Sequence, residues 1–190
     1  RRDGPSPRAR GTMESVCDSI RHPVVPETLL VFSDVHLGSD IDERQGNAPR
    51  RSREVDRDLV NLLAHYRAAA KTSGERWRIV VAGDFIDFIG MTVAPDGDDT
   101  VATPLTEEEL AHGVGGAADH ARLKLRRVAR RHEDVFAALG AFMADGHGLS
   151  IVHGNHDIEL YWDEVKADFR EIVLGHARAH DASLHEDARA

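Results

Sequence analysis

Apolar and polar positions change their pattern several times along the chain, and each change predicts a different element. Three short apolar runs are bounded by polar or glycine-containing segments, which predicts buried β-strands. The runs cover residues 28–33, 77–82 and 149–153. After the first run, the polar segment 39–53 predicts a loop, and residues 55–69 then carry apolar side chains at helical spacing. That spacing predicts an amphipathic helix, and Gly74 is placed to end it.

The region after the second run predicts further helices. Thr106 and Glu109 fit the capping box that opens a helix. One longer helix follows and ends near Gly146, and its apolar face comprises Leu125, Val128, Val135, Leu139 and Phe142. A last helix has its apolar face at Trp162, Val165, Phe169 and Ile172. Residues 176–190 hold few large apolar side chains, which predicts a frayed tail. Strands that alternate with helices predict an α/β fold with crossover helices.

Each predicted strand ends in a group of polar side chains. Asp34 and His36 follow the first run, and Asp84 follows the second. Ligand sites of such sheets gather at the carboxyl ends of strands. Residues two apart on a strand point the same way, so Asp34 and His36 form a half-site for a divalent transition metal. Asp84 has two carboxylate oxygens and can therefore bridge two cations.

The third run leads into the most specific group, Gly154-Asn155-His156-Asp157. Asn155 offers an amide oxygen to a metal. His156 is placed as a proton donor, and Asp157 can fix its tautomer and orientation. Asp87, shortly after the second run, keeps two interpretations: it orients a ligand, or it is an acid at a helix N-terminus.

Composition limits the classes of function. The chain has 190 residues, 41% hydrophobic and 30% charged, which is typical of one folded domain. Its net charge of -9 argues against broad electrostatic capture of nucleic acid or of an anionic membrane. No apolar run is long enough for a membrane span. The single cysteine, Cys17, cannot form an internal disulfide, which favours a cytoplasmic location. Residues 1–26 are expected to be disordered, and Met13 is the expected start of translation.

The chain also holds a cluster of basic residues and several isolated histidines. One predicted helix carries Arg122, Lys124, Arg126, Arg127, Arg130 and Arg131. These cations either grip a phosphate or an anionic headgroup, or form a solvated face paired with Glu133 and Asp134, and we favour the second. The isolated histidines are expected on solvated surfaces, and they are His22, His65, His112, His120 and His132.

Together, the motifs resemble those of the calcineurin-like metallophosphoesterase superfamily. The matching segments are Asp34-x-His36, Gly83-Asp84-x-x-Asp87 and Gly154-Asn155-His156-Asp157. The resemblance covers about residues 29–162. It implies a β-sandwich flanked by helices, with two divalent metals (Mn, Fe or Zn) at the carboxyl ends of the strands. There is a more distant similarity to the branch that contains UDP-2,3-diacylglucosamine pyrophosphohydrolases, although that branch usually has arginine at the position of His156.

The resemblance also implies a role for each matched residue. Asp34 and His36 would bind the first metal, Asp84 would bridge both, and Asn155 would bind the second. His156, held by Asp157, would stabilise the transition state or protonate the leaving oxygen. The implied reaction is metal-dependent hydrolysis of a phosphorylated small molecule, lipid or protein by in-line attack of activated water on phosphorus.

The family pattern continues beyond the third motif, with further histidines that include a Gly-His-x-His motif. Here the candidate is His176 and His180, which are four apart, and we interpret them as a helix end; a same-face metal pair is the alternative. We therefore expect an incomplete phosphoesterase domain over residues 27–175, with one sheet face uncovered; completion by dimerisation is the alternative. An inactive fragment or a protein-binding scaffold is the alternative function.

Overall fold

The computed structural model describes residues 27–43, 49–97 and 99–187. The predicted N-terminal segment 1–26, with Met13, Cys17 and His22, lies outside these residues. Within them, the chain forms a mixed α/β fold of one three-stranded parallel sheet and five α-helices. The α/β class predicted from the alternation of strands and helices is confirmed.

The three strands lie where the apolar runs predict them. They are β1 (Glu27–Phe32), β2 (Arg76–Ala82) and β3 (Gly148–Val152), and all run parallel in the order β1-β2-β3. The register places Leu30 beside Ile79, and Ile79 beside Leu149. Parallel neighbours need crossover connections, which the helices supply. All three carboxyl ends therefore lie at the same edge of the sheet.

The two faces of this sheet differ in burial. On one face, Ile79 and Val81 of the central strand are fully buried in the core that the helices share. On the other face, Leu29, Val31 and Val152 are 56%, 57% and 57% exposed. The described residues thus form two layers, the sheet and the helices, and three apolar side chains on the other face of the sheet stay more than half exposed.

Five α-helices and one short 3-10 helix complete the described fold. They are α1 (Pro49–Ser73), α2 (Glu107–His112), α3 (Ala118–Arg131), α4 (Glu133–Ala144), the 3-10 helix (Ile158–Tyr161) and α5 (Asp163–Asp187). Gly74 ends α1 with φ 74° and donates its N–H to the Ala70 carbonyl oxygen, as predicted. Thr106 and Glu109 form the predicted capping box. Helix α1 begins inside the predicted loop 39–53, because Pro49 suits a first helical turn.

The long helix predicted up to Gly146 is two helices, so this prediction is wrong. His132 separates α3 from α4 with φ -113° and ψ 37°, outside the helical region. Its carbonyl oxygen nevertheless accepts the N–H of Val135 at 2.9 Å, so α4 begins at once. The periodicity of the apolar face continues across the break, which explains why the sequence pattern does not reveal it.

The last helix continues beyond the point where the sequence predicts a frayed tail. Helix α5 runs to Asp187, and Ala177 within it is 8% exposed. A Cβ on Gly140 of α4 would lie 2.5 Å from the Cβ of His176 and 2.7 Å from the backbone nitrogen of Ala177. Small residues thus let α4 and α5 pack closely here. The predicted frayed tail is instead helical up to Asp187, and close packing on α4 supports the helix at residues 176 and 177.

Most cations of α3 contact groups on other segments of the chain. Arg122 pairs with Asp168 at 2.7 Å, and Arg127 pairs with Glu43 at 2.8 Å. Lys124 is 6% exposed and donates to the carbonyl oxygen of Phe88 at 2.9 Å. The prediction of Glu133 and Asp134 as partners is therefore wrong for these cations, although Arg122 and Arg126 keep side chains that are 42% exposed. These cations join α3 to distant segments, which the local sequence cannot indicate.

Candidate metal centre

Backbone hydrogen bonds hold the turns after β1 and β2 side by side beyond the sheet. The N–H of Asp34 donates to the Gly83 carbonyl oxygen at 3.2 Å, and the N–H of His36 donates to the Asp84 carbonyl oxygen at 3.0 Å. Leu37 and Ile86 then form a parallel bridge. The two predicted ligand groups are therefore adjacent, as their positions at neighbouring strand ends predict.

The predicted ligands of these two turns share an unusual backbone conformation. Asp34, His36 and Asp84 have φ values of 58°, 54° and 53°. Among the described residues, they are the three non-glycine positions with positive φ. This conformation is unfavourable for residues with a Cβ and persists where surrounding structure enforces it, typically at functional sites. The fold thus holds these three residues in a backbone conformation that their local preference does not favour.

The same three side chains converge on one point. One ligand atom each from Asp34, His36 and Asp84 lies within 4.8 Å of the other two. A second group, His36, Asp87 and His156, meets the same limit and shares His36 with the first. Carboxylate and imidazole donors suit a divalent transition metal such as Mn, Fe or Zn. The donor set and its spacing therefore fit a metal ion.

The turn after β3 packs against the Asp84 carboxylate. The backbone N–H of His156 donates to Asp84 Oδ1 at 2.9 Å. A Cβ on Gly154 would lie 2.2 Å from the same oxygen, so only glycine lets the turn approach this closely. Asn155 lies exposed between these two residues. The fold thus brings the third motif next to the first two.

Asp157 does not orient the His156 ring as expected from the resemblance. It is fully buried, and its two oxygens accept the backbone N–H groups of Phe85 and Gly154. Both donors belong to the turns that carry the predicted ligands. That expectation is corrected here: Asp157 ties the second and third turns together, because it points into the backbone between them.

Asp87 is the carboxylate that contacts the His156 ring. Its Oδ1 lies 2.9 Å from His156 Nδ1 and also accepts the N–H of Gly90, while its Oδ2 lies 4.0 Å from His36 Nδ1. The Asp87 hydrogen bond raises the pKa of His156 above its ordinary value, against the opposing effect of desolvation, and the nearby carboxylates add to the rise. The two histidine rings stack edge to face at 4.6 Å. Of the two interpretations of Asp87, the geometry favours the one in which it orients another group.

Two buried histidines were predicted at the surface, and both predictions are wrong. His120 is fully buried and bonds the 103–115 segment through Thr103 and Gly115. His132 is 2% exposed and contacts Gly38, near the first predicted ligands. Its partner lies 94 residues away in the chain. No local pattern in the sequence marks such a contact.

The histidines considered as later ligands lie elsewhere. His180 contacts Arg67 at 3.0 Å, and Arg67 pairs with Asp145. Within the described part of the chain, the groups of side chains that can hold a metal include neither His176 nor His180. They lie within α5, which continues to Asp187, so their interpretation as a helix end is wrong.

None of the described helices has the combination of length and apolar character that crossing a membrane requires. Comparison of the chain with protein-family models, with curated proteins and with solved structures found no match in any of the three.

Proposed function

We propose that the chain is part of a metal-dependent phosphoester hydrolase. The observation that carries this proposal is the coincidence of two independent properties in Asp34, His36 and Asp84. They are the non-glycine residues with left-handed backbone in the described chain, and their ligand atoms lie within 4.8 Å of one another. Enforced strain and convergence of metal-competent donors are both typical of a functional site.

The first metal would be held by Asp34, His36 and Asp84, and Asp84 with Asn155 would contribute to a second. When bound, the metals supply Lewis-acid activation of water and neutralise charge on the phosphoryl group. The residues of the chain contribute the geometry. The sheet fixes the first two turns against each other, and the N–H of His156 holds the Asp84 carboxylate in place.

His156 is the proton donor in this proposal. Its Nδ1 faces Asp87 Oδ1, so Nδ1 carries a proton and Nε2 is left to face the substrate. Since the bond to Asp87 raises the pKa of His156, the ring stays protonated to a higher pH than a free histidine. A protonated Nε2 can then deliver its proton to the leaving oxygen, which lowers the barrier for departure.

The open sheet face supports the sandwich architecture as part of the same proposal. Leu29, Val31 and Val152 would be covered by a second sheet packed about 10 Å away. A parallel sheet ordinarily has both of its faces covered.

An inactive scaffold is the second candidate, and one observation favours it. His36 belongs to both groups of metal-competent side chains, so the two groups together offer five different described residues for two metals. A centre with too few ligands binds metal weakly. The two candidates therefore differ in metal affinity and in turnover.

The decisive experiment measures bound metal and hydrolysis on the same protein. Metal-free chain is loaded with Mn²⁺, Fe²⁺ or Zn²⁺, bound metal is counted by mass spectrometry, and turnover of bis-p-nitrophenyl phosphate and p-nitrophenyl phosphate is followed. Asp84→Asn should remove both metal and turnover. The control Asp163→Asn, whose side chain is 95% exposed, should change neither. Little bound metal and no turnover in the wild-type chain would refute the enzyme and favour the scaffold, whereas tight metal binding without turnover would refute the enzyme alone.

A backbone substitution tests the same site without removing a ligand. Gly154→Ala places a methyl group 2.2 Å from Asp84 Oδ1 and 2.8 Å from its backbone nitrogen, so the turn must move. We expect a loss of metal affinity of at least about tenfold, comparable with losing a residue that orients a metal ligand. Unchanged affinity in a folded variant would contradict the geometry of this centre.

A further inference from the structure

We propose that His132 is a positioning residue for the metal-binding turn after β1, a role that rests on the proposed function of that turn. His132 lies at the junction of α3 and α4 and is 2% exposed. Its Nε2 accepts the backbone N–H of Gly38 at 3.0 Å, and its Nδ1 lies 2.7 Å from Asp56 Oδ1. His132 thereby links α1, the α3–α4 junction and the turn that carries His36.

The hydrogen bonds fix the tautomer of this ring. A backbone N–H can only donate, so Nε2 of His132 must present its lone pair to Gly38. Nδ1 then carries the proton and donates it to the Asp56 carboxylate. The carboxylate also makes the ring a stronger acceptor, as carboxylate–histidine pairs do elsewhere. The buried ring is therefore oriented by Asp56 to receive one particular backbone N–H group.

The position of that N–H group gives the contact its significance. Gly38 follows His36 by two residues, and His36 is held at the unfavourable φ of 54°. Gly38 itself has φ 92°, and a Cβ there would lie 2.7 Å from Val128 and 2.8 Å from Met91. The turn thus lies tightly against α3. A buried acceptor at its end resists relaxation of His36 toward the favoured right-handed region, which would move its imidazole.

Arg131, the residue before His132, makes a second contact between the α3–α4 junction and the turn after β1. Arg131 donates from Nε to Asp40 Oδ2 at 3.1 Å, so consecutive residues of the α3–α4 junction hold Gly38 and Asp40. The helix break at His132, which interrupts an otherwise continuous apolar face, aims the ring at the turn. A histidine that served only the core would not need to face a backbone donor two residues from a metal ligand.

The test compares two buried histidines that differ in what they hold. His132→Leu removes the acceptor, whereas His132→Gln offers its Oε1 near the position of Nε2. His120 is the matched control: it lies on α3 and is fully buried, and its Nδ1 accepts the Gly115 N–H at 3.2 Å, in a segment that carries no predicted ligand. His120→Leu should therefore destabilise the fold without changing the metal site.

The full 190-residue chain is titrated with Co²⁺, and the Kd and the visible absorption of the bound ion are measured. The titration is done at a temperature where circular dichroism shows that every variant is folded. We expect His132→Leu to weaken Co²⁺ binding by about ten- to a hundredfold and to alter the absorption bands. His132→Gln should restore most of the affinity, and His120→Leu should stay close to wild type.

The outcomes separate this inference from the proposed function. If wild-type chain binds Co²⁺ and His132→Leu binds it as tightly as His120→Leu, the positioning role is refuted while the metal centre stands. Failure of His132→Gln to restore affinity would also refute it, because the acceptor would not be what matters. If wild-type chain binds no Co²⁺, the metal centre is refuted, and the positioning role with it. Altered Co²⁺ binding in a chain that hydrolyses no phosphoester would support the positioning role and refute only the enzymatic proposal.

Discussion

Replacing Asp157 with asparagine should destabilise the metal-free fold more than any surface substitution. The carboxylate is fully buried, and its two oxygens accept the N–H groups of Phe85 and Gly154. These bonds join the turn after β2 to the turn after β3. Asparagine keeps one carbonyl oxygen, but its amide group must then face the other N–H, so one donor loses its partner.

The magnitude follows from these two bonds. A hydrogen bond to a charged group contributes about 1.5–3 kcal/mol, and a buried donor without a partner costs about 1–3 kcal/mol. One bond is lost outright and the surviving one is no longer charge-assisted. We therefore expect Asp157→Asn to lower the free energy of unfolding by about 3 kcal/mol. That is a large part of the roughly 5–15 kcal/mol that stabilises a typical domain.

Urea denaturation in the presence of a chelator, followed by far-ultraviolet circular dichroism, measures this loss without any contribution from metal. Asp163→Asn is the control, since its side chain is 95% exposed and pairs with Lys166 on the surface. It should stay within about 0.5 kcal/mol of wild type. A loss below about 1 kcal/mol for Asp157→Asn would refute the reasoning, because the bonds to Phe85 and Gly154 would then contribute little.

Three further predictions concern charge and backbone. Asp87→Asn should lower the pKa of His156, because the hydrogen bond that raises it loses its charge; an unchanged pKa by NMR titration of metal-free chain would contradict the assigned contact. Burial opposes ionisation of Asp119, but N–H groups of residues 102–103 outweigh it and lower the pKa to about 2. Its contribution to stability is therefore complete above an unfolded pKa of about 3.9 and is lost as the pH falls toward 2, so the destabilisation by Asp119→Ala in denaturant titrations should shrink over that window. Gly175→Ala meets open space inside α5 and should stabilise the fold by about 0.5–1 kcal/mol, whereas no gain would indicate that the helix does not continue there.

The sequence predicts the strands because each strand is a short run of consecutive, mostly apolar residues. The runs that become β1, β2 and β3 are mostly apolar, and a parallel sheet buries at least one of its faces over its whole length. The grouping of Asp34, His36 and Asp84 follows as well, since parallel strands bring their carboxyl ends to one edge. The end of α1 at Gly74 and the start of α2 at the Thr106 capping box also depend on a few consecutive residues, so the sequence predicts them.

The partners of buried charges are not local, and here the sequence predictions fail. His132 and Lys124 lie in or next to a stretch whose many basic residues predict a solvated helix. Both are nevertheless buried against segments far away in the chain. Asp157 stands next to His156 in the motif, but the turn directs its carboxylate to backbone donors, and Asp87 contacts the ring instead. Sequence neighbours need not be spatial partners, because a tight turn rotates successive side chains in different directions.

By itself, the sequence determines which residues can carry metal chemistry and at which edge of the sheet they gather, because the donors follow directly after apolar runs that predict parallel strands. Only the tertiary structure decides what holds those residues in place. The left-handed backbone of Asp34, His36 and Asp84, the buried Asp157 and the contact from His132 to Gly38 each depend on segments that meet only when the chain has folded. The physical reason is that strain at a ligand persists only where packing and hydrogen bonds from elsewhere in the fold compensate for it.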